Sequence, residues 1–191
     1  MSSTRLTPQL LAALRAPEAA ERDAAFDQLA EAMLDPLYWH ARRLVVVHED
    51  AEDVVQESFV KAYDALPDFR GDEAADLTAW LYRIVTNTAC TLLRARHRRR
   101  GLIRPLDEAG RELAAKVAEE CGPDADRALV RLQQEVLALP AKQRMVFNLR
   151  YYDALSYAQI ARVLDTRETN LRVIYHHAVE RLKKRLKQEE L

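Results

Sequence analysis

A chain of 191 residues with 49% hydrophobic and 31% charged side chains can bury a core and is long enough for one domain or two small ones. Its formal net charge of −1 excludes a uniformly basic nucleic-acid coat, so any polyanion contact has to come from segregated patches. Cys90 and Cys121 lie too far apart for a metal-binding pair, no apolar run nears the roughly 20 residues a bilayer span needs, and the first residues lack a signal-peptide core. These features predict a reduced cytoplasmic protein without membrane insertion.

Four glycines and seven prolines in a chain rich in Ala, Leu, Arg and Glu predict an all-α fold. In chain order, Thr7–Leu14 reads as a short helix with Pro8 in its first turn, stopped by Pro17. Helices are expected at Ala19–Leu34, Pro36–His48 and Asp50–Leu66, the last ended by Pro67. A loop, "PDFRGDEAAD", leads into a long helix from about Leu77 to Arg100. Residues 101–124 carry three glycines, two prolines and much acid, and read as a linker. Helical patterns return at Ala125–Leu137, Ala141–Tyr152, Tyr157–Leu164 and Glu168–Leu186. The expected organisation is a helical unit over 1–100, an acidic tether and a smaller helical unit over 125–191.

On "DAEDVVQESFVKAYDAL", Val55, Phe59, Ala62, Tyr63 and Leu66 form the stripe expected to be buried. Asp53, Gln56, Glu57 and Val60 fall on the opposite face. That face is either solvated acid or, with a valine ringed by acid and amide, a docking surface for a basic helical partner. No loop with Ca²⁺-ligand spacing surrounds these carboxylates.

On the long helix, Leu81, Val85, Thr88 and Leu92 share one side, while Trp80, Arg83, Asn87, Thr91, Arg94 and Arg98 share another. Guanidinium groups neutralise phosphate and an aromatic ring stacks on an unpaired base, so this stripe suits single-stranded DNA. The alternative is a solvated basic face with Trp80 tucked into the core.

In the C-terminal unit, Ser156 and Gln159 have capping-box spacing, and Ile160, Ala161 and Leu164 supply that helix's inner side. Asp165-Thr166-Arg167 makes a tight break, with Thr166 placed to cap the next helix. There, Leu171, Tyr175, Ala178 and Leu182 form an apolar stripe opposite Thr169, Arg172, Val173 and His176, with Asn170 and His177 on a flank. Two such helices joined by a short turn suit a helix-turn-helix, whose second helix enters the major groove. The adjacent His176 and His177 point about 100° apart on a helix and cannot grip one metal together. No nucleophile–base pair, phosphate-cradling Gly loop or metal cluster supports an enzyme, and no cofactor is expected.

"DAEDVVQESFVKAYDAL", "FRG…LTAWLYRIVTNTACTLLR" and "LPAKQRMVFNLRYYDALSYAQIARVL", in this order and with an acidic linker between, resemble the extracytoplasmic-function (ECF) sigma factors of the sigma-70 family. The resemblance covers about Asp23 to Leu186. It implies a non-enzymatic promoter-specificity subunit that binds core RNA polymerase and promoter DNA. The Asp53, Gln56, Glu57 and Val60 face would dock on the polymerase. Phe69 and Arg70, in the loop Asp68 to Asp76 that would receive a flipped base, and Trp80, Arg83, Asn87 and Arg94 would hold the non-template strand of the −10 element. Arg167, Asn170, Arg172, Val173, His176 and His177 would read the −35 duplex. An anti-sigma factor that sequesters the two domains is a further expectation from the family. Departures touch promoter choice: Asp165 stands where Gly is frequent in the turn, and Val173 could meet a thymine methyl. The competing reading is a duplex-only helix-turn-helix regulator that dimerises through its N-terminal helices.

Overall fold

The structure, a computed structural model, describes residues 6–99, 113–114, 117 and 126–187. Among these the chain is helical, without a strand. Helix α1, Pro8–Ala13, starts where the Thr7 hydroxyl accepts a hydrogen bond from the Leu10 amide at 3.2 Å. Helix α2 then runs unbroken from Ala19 to Val45 with Pro36 inside it, where the sequence predicts two helices. Proline removes one backbone hydrogen bond and crowds the preceding turn. Here Leu29, Met33, Leu37, Ala41 and Leu44 form one buried stripe across it. Burying each large side chain is worth about 1.5–3 kcal/mol, enough together to offset the break. Val46 ends α2 with φ of 69°, a strained backbone for a β-branched residue, and its side chain is buried.

Helix α3, His48–Ala65, and helix α4, Ala74–Arg99, pack with α2 into the first unit. Val54, Val55 and Ala62 of α3 meet Leu77, Leu81 and Val85 of α4 in the shared core. Tyr63, expected in the buried stripe, is 42% exposed, and its hydroxyl donates to Asp23 at 2.6 Å while its ring edges against Phe26. A phenol can cover apolar surface and keep its polar tip wet, so helical spacing overstates its burial.

In the second unit, α5 (Arg127–Leu137) is capped by Asp126, and α6 (Ala141–Phe147) continues into a π-helical turn over Asn148–Tyr152. Helix α7, Tyr157–Leu164, and helix α8, Glu168–Lys187, follow. Leu171, Ala178 and Leu182 are buried as their spacing predicts, with Tyr175 partly so. Within the expected linker, Leu113, Ala114 and Val117 are helical, Leu113 and Val117 are buried, and the Ala114 carbonyl accepts from Gln134. Most of residues 101–124 lie outside the described residues.

The two units do not stand apart. Helix α7 lies on α4, and one contiguous buried cluster includes Leu77 and Val85 of the first unit with Ile160, Val163 and Leu171 of the second. Val163, absent from the expected inner side of α7, is buried because α7 packs against both α8 and α4. A polar interlock crosses the same seam. His40 of α2 and Asp153 have side chains 1% and 2% exposed, and His40 Nδ1 lies 2.7 Å from the Asp153 carboxylate. Arg43 engages the other Asp153 oxygen. On the far side, His40 Nε2 is 3.0 Å from the Thr86 hydroxyl, which itself donates to the Tyr82 carbonyl. Both ring nitrogens of His40 thus face acceptors. Nearer the start of α4, Arg162 pairs with Asp76, and Gln159 reaches the Ala75 carbonyl at 3.5 Å.

Candidate nucleic-acid interface

The loop entering α4 is built by local hydrogen bonds. The Asp76 carboxylate accepts from the amides of Asp72 and Glu73 at 3.0 and 3.1 Å, satisfying donors at the helix start and favoured by its dipole. Gly71 lies so close to Asp76 and the Phe69 ring that an added Cβ would overlap both. Arg70 donates to the Pro67 and Phe69 carbonyls at 2.6 and 3.3 Å. This turn sets the Phe69 ring 5.0 Å from that of Trp80, tilted by 42°. Trp80 is half-buried: its ring touches the core while one side joins the loop. Arg83, Asn87, Thr91, Arg94 and Arg98 follow it along α4, all exposed. The basic block is divided in its use. Arg96 turns inward and makes a bidentate pair with buried Asp50, tying α4 to the first turn of α3.

A second surface lies on α3. Asp53, Gln56, Glu57 and Val60 are exposed together, Val60 to 61%. Glu57 pairs with Lys61 at 2.7 Å one turn on, and Lys61 also reaches the Thr88 hydroxyl at 3.2 Å. Sequence reasoning missed the extension of this face onto α2. A cavity of about 350 Å³ lies beside Gln56, lined by Leu34, Tyr38, His48 and Glu52, and Leu34 is 50% exposed. The signal was present, since Leu34 falls off the apolar stripe of α2.

The third surface is the outer face of α8. The predicted capping box is present: Ser156 accepts from the Gln159 amide at 3.2 Å, and the Gln159 side chain accepts from the Ser156 amide at 2.9 Å. Asp165 takes the left-handed turn at φ 48°, ψ 55°, as a short polar side chain can. Thr166 does not play the expected capping part; its hydroxyl donates back to the Leu164 carbonyl at 3.1 Å. Arg167, just before α8, and Asn170, Arg172, Val173, His176 and His177 along it are all exposed, Val173 to 54%. Tyr157 of α7, which sequence reading passed over, places its ring 4.7 Å from the Arg172 guanidinium and 5.3 Å from that of Arg150. That cation–π contact limits where Arg172 can point. The His176 and His177 rings are 6.0 Å apart and tilted, and among the described residues no His, Cys, Asp and Glu group could hold a metal.

These three surfaces lie on helices that match known sequence profiles. Sigma-70 region 2 matches residues 29–99, and sigma-70 region 4 matches residues 129–182. The ECF RNA polymerase sigma-E factor of Salmonella typhimurium is 36% identical over 173 residues, covering 85% of each chain. This chain belongs to the ECF sigma factors. Among solved structures, CnrH in complex with the cytosolic domain of CnrY superposes with a TM-score of 0.67 at 26% identity, covering 95% of this chain and 97% of that one. The sigma factor RpoE of Bartonella quintana, solved with the anti-sigma factor NepR, shares the fold at a TM-score of 0.66 and 24% identity, covering 86% and 98%. The ECF sigma factor described here therefore acts in transcription initiation by RNA polymerase and is not an enzyme. No helix among its described residues is long and apolar enough to cross a membrane.

Proposed function

We propose that the three surfaces divide the work of promoter recognition. The Asp53, Gln56, Glu57 and Val60 face, extended by Leu34, docks core RNA polymerase. Phe69, Arg70, Trp80, Arg83, Asn87 and Arg94 hold the single-stranded −10 element. Arg167, Asn170, Arg172, Val173, His176 and His177 read the −35 duplex. Protein of this kind works in the cytoplasm, where the polymerase is. The observation that carries the −10 assignment is the Phe69–Trp80 pair, two rings held at the head of an exposed arginine and asparagine stripe. Stacking an unpaired base on an aromatic is worth about 1–3 kcal/mol, comparable to the few kcal/mol that unstacking costs.

The two DNA faces point outward but cannot serve both elements while the seam is closed. Elements centred at −35 and −10 are about 25 base pairs apart, roughly 85 Å at ~3.4 Å per pair. A compact chain of this length has a radius of gyration of only about 16 Å. The α4–α7 seam therefore opens when the factor engages a promoter with polymerase. The closed form is the one a sequestering anti-sigma protein would hold, a reading supported by the fold shared with a sigma factor solved beside an anti-sigma factor. Affinity capture from native lysate that recovers polymerase and no inhibitory protein would count against that partner.

The deciding experiment is abortive transcription by purified core polymerase with and without this chain on randomised promoters. Selective initiation, lost in the Trp80→Ala/Asn87→Ala double variant, supports the assignment. No initiation and no core binding would return the duplex-only regulator as the better reading.

A further inference from the structure

We propose that the N-terminal helix α1 forms one wall of the −10 base pocket, and that Arg15 positions the loop and sets which base it accepts. The inference rests on the assignment of the loop after α3 to the non-template strand and adds a reader from outside the matched region 2.

Helix α1 is anchored rather than loose. Thr7 caps it, and Leu10, Leu11 and Leu14 are buried in the same cluster as Phe26 and Leu66. The turn that follows is closed by Arg22, which donates to the Ala16 carbonyl at 3.4 Å. Arg15 therefore leaves a fixed point and spends its contacts on one target. Its guanidinium donates to the Gly71 carbonyl, sits 3.4 Å from the Asp72 carboxylate and lies 6.0 Å from the centre of the Phe69 ring. All three partners belong to the proposed base-receiving loop.

Between α1 and that loop is a cavity of about 470 Å³, with Leu14, Arg15 and Arg22 on one side and Phe69, Arg70 and Asp72 on the other. An unstacked nucleobase matches this lining. Its face can lie on Phe69, its edge meets a fork of donors from Arg15 beside the acceptor Asp72, and Arg70 or Arg22 can take the adjoining phosphate. The Arg15–Asp72 pair is well exposed, at 44% and 89% of the side chains. Exposed pairs contribute little, so a base edge can replace either partner without a large penalty.

The test uses holoenzyme assembled from core polymerase and the full chain, scoring open-complex formation on promoters randomised through the −10 element. Arg15→Ala is expected to lower opening on the order of tenfold and to flatten the base preference at one −10 position, with core affinity and −35 dependence unchanged. Arg15→Lys keeps the charge but not the fork, and should recover part of the opening without recovering the preference. A purely structural role for Arg15 would lower opening equally on all sequences, which would overturn the proposal. Phe69→Ala is the reference. If it erases the preference while Arg15→Ala leaves it intact, the loop reads the base and α1 does not. If neither variant alters the preference, the assignment of the loop itself fails, and the inference falls with it.

Discussion

The same side-chain types do opposite work in two regions of this molecule. At the seam between the units, His40, Arg43 and Asp153 are consumed by one another in a nearly dry contact. On the outer faces of α4 and α8, Arg83, Arg94, Arg172, His176 and His177 stand in water. A histidine in the first region is a structural rivet; a histidine in the second is exposed and, in the proposed assignment, faces the −35 duplex. The difference comes from what packs above each residue, and it separates two costs. Losing one partner of a buried charged contact strands the others without solvent, whereas trimming an exposed side chain costs folding almost nothing and costs only binding.

The largest effect that could break this comparison is at Asp153. Replacing it with Ala leaves His40 and Arg43 without their shared acceptor and should cost about 3–5 kcal/mol at the seam. It should be seen as a lower urea midpoint and a larger radius of gyration by small-angle scattering, with the −10 and −35 base preferences of assembled holoenzyme unchanged. Unaltered dimensions and midpoint would show that the apolar α4–α7 contact alone closes the units. Next in size, Trp80→Ala/Asn87→Ala should reduce promoter opening by roughly 10–100-fold from lost stacking and hydrogen bonding, while thermal unfolding shifts little. Normal opening, measured by permanganate reactivity of unpaired thymines, would remove the melting role from this face. Arg172→Ala should weaken −35 discrimination by about 1–3 kcal/mol in competition binding and leave −10 opening on a consensus-free start intact. Tyr157→Phe should behave as wild type there, because its ring rather than its hydroxyl holds Arg172. Val60→Asp should lower core affinity by about 1 kcal/mol or more in titrations of labelled core, with no change in the DNA preferences.

The smallest expected effect concerns pH. Burial raises the Cys90 thiol above its ordinary range, and burial, then Asp153, raises the Tyr82 phenol. The folded chain therefore keeps protons that the unfolded chain releases. Stability is fully present below the ordinary thiol range near about pH 8.5 and declines as pH rises beyond it. Urea unfolding at successive alkaline pH values checks this, and Cys90→Ser should remove the part that begins lowest.

Much of the fold was legible because helical spacing reports burial within one helix. Leu171, Ala178 and Leu182 on α8, and Leu81, Val85 and Thr88 on α4, are buried as their periodicity requires. The capping box at Ser156 and the left-handed turn at Asp165 were legible for the same reason, since both are settled by neighbours in sequence. The outward faces of α3, α4 and α8 follow as the complements of those stripes. Less was legible where a residue answers to a distant segment. Pro36 reads as a helix break, yet α2 continues, because the stripe from Leu29 to Leu44 is buried by α3 and α4. Arg96 reads as one more cation of a basic block, and Asp50 takes it inward.

The sequence by itself determined the all-α class, the helix-turn-helix, the segregation of charge and the family, since each is carried by local spacing and by motifs in order. Only the tertiary structure decided that α7 seats on α4, that His40 and Asp153 meet across 113 positions of chain, and that α1 reaches the loop at Gly71. Those contacts join side chains from separate helices, and which of them meet is set by how whole helices pack rather than by any period along one of them.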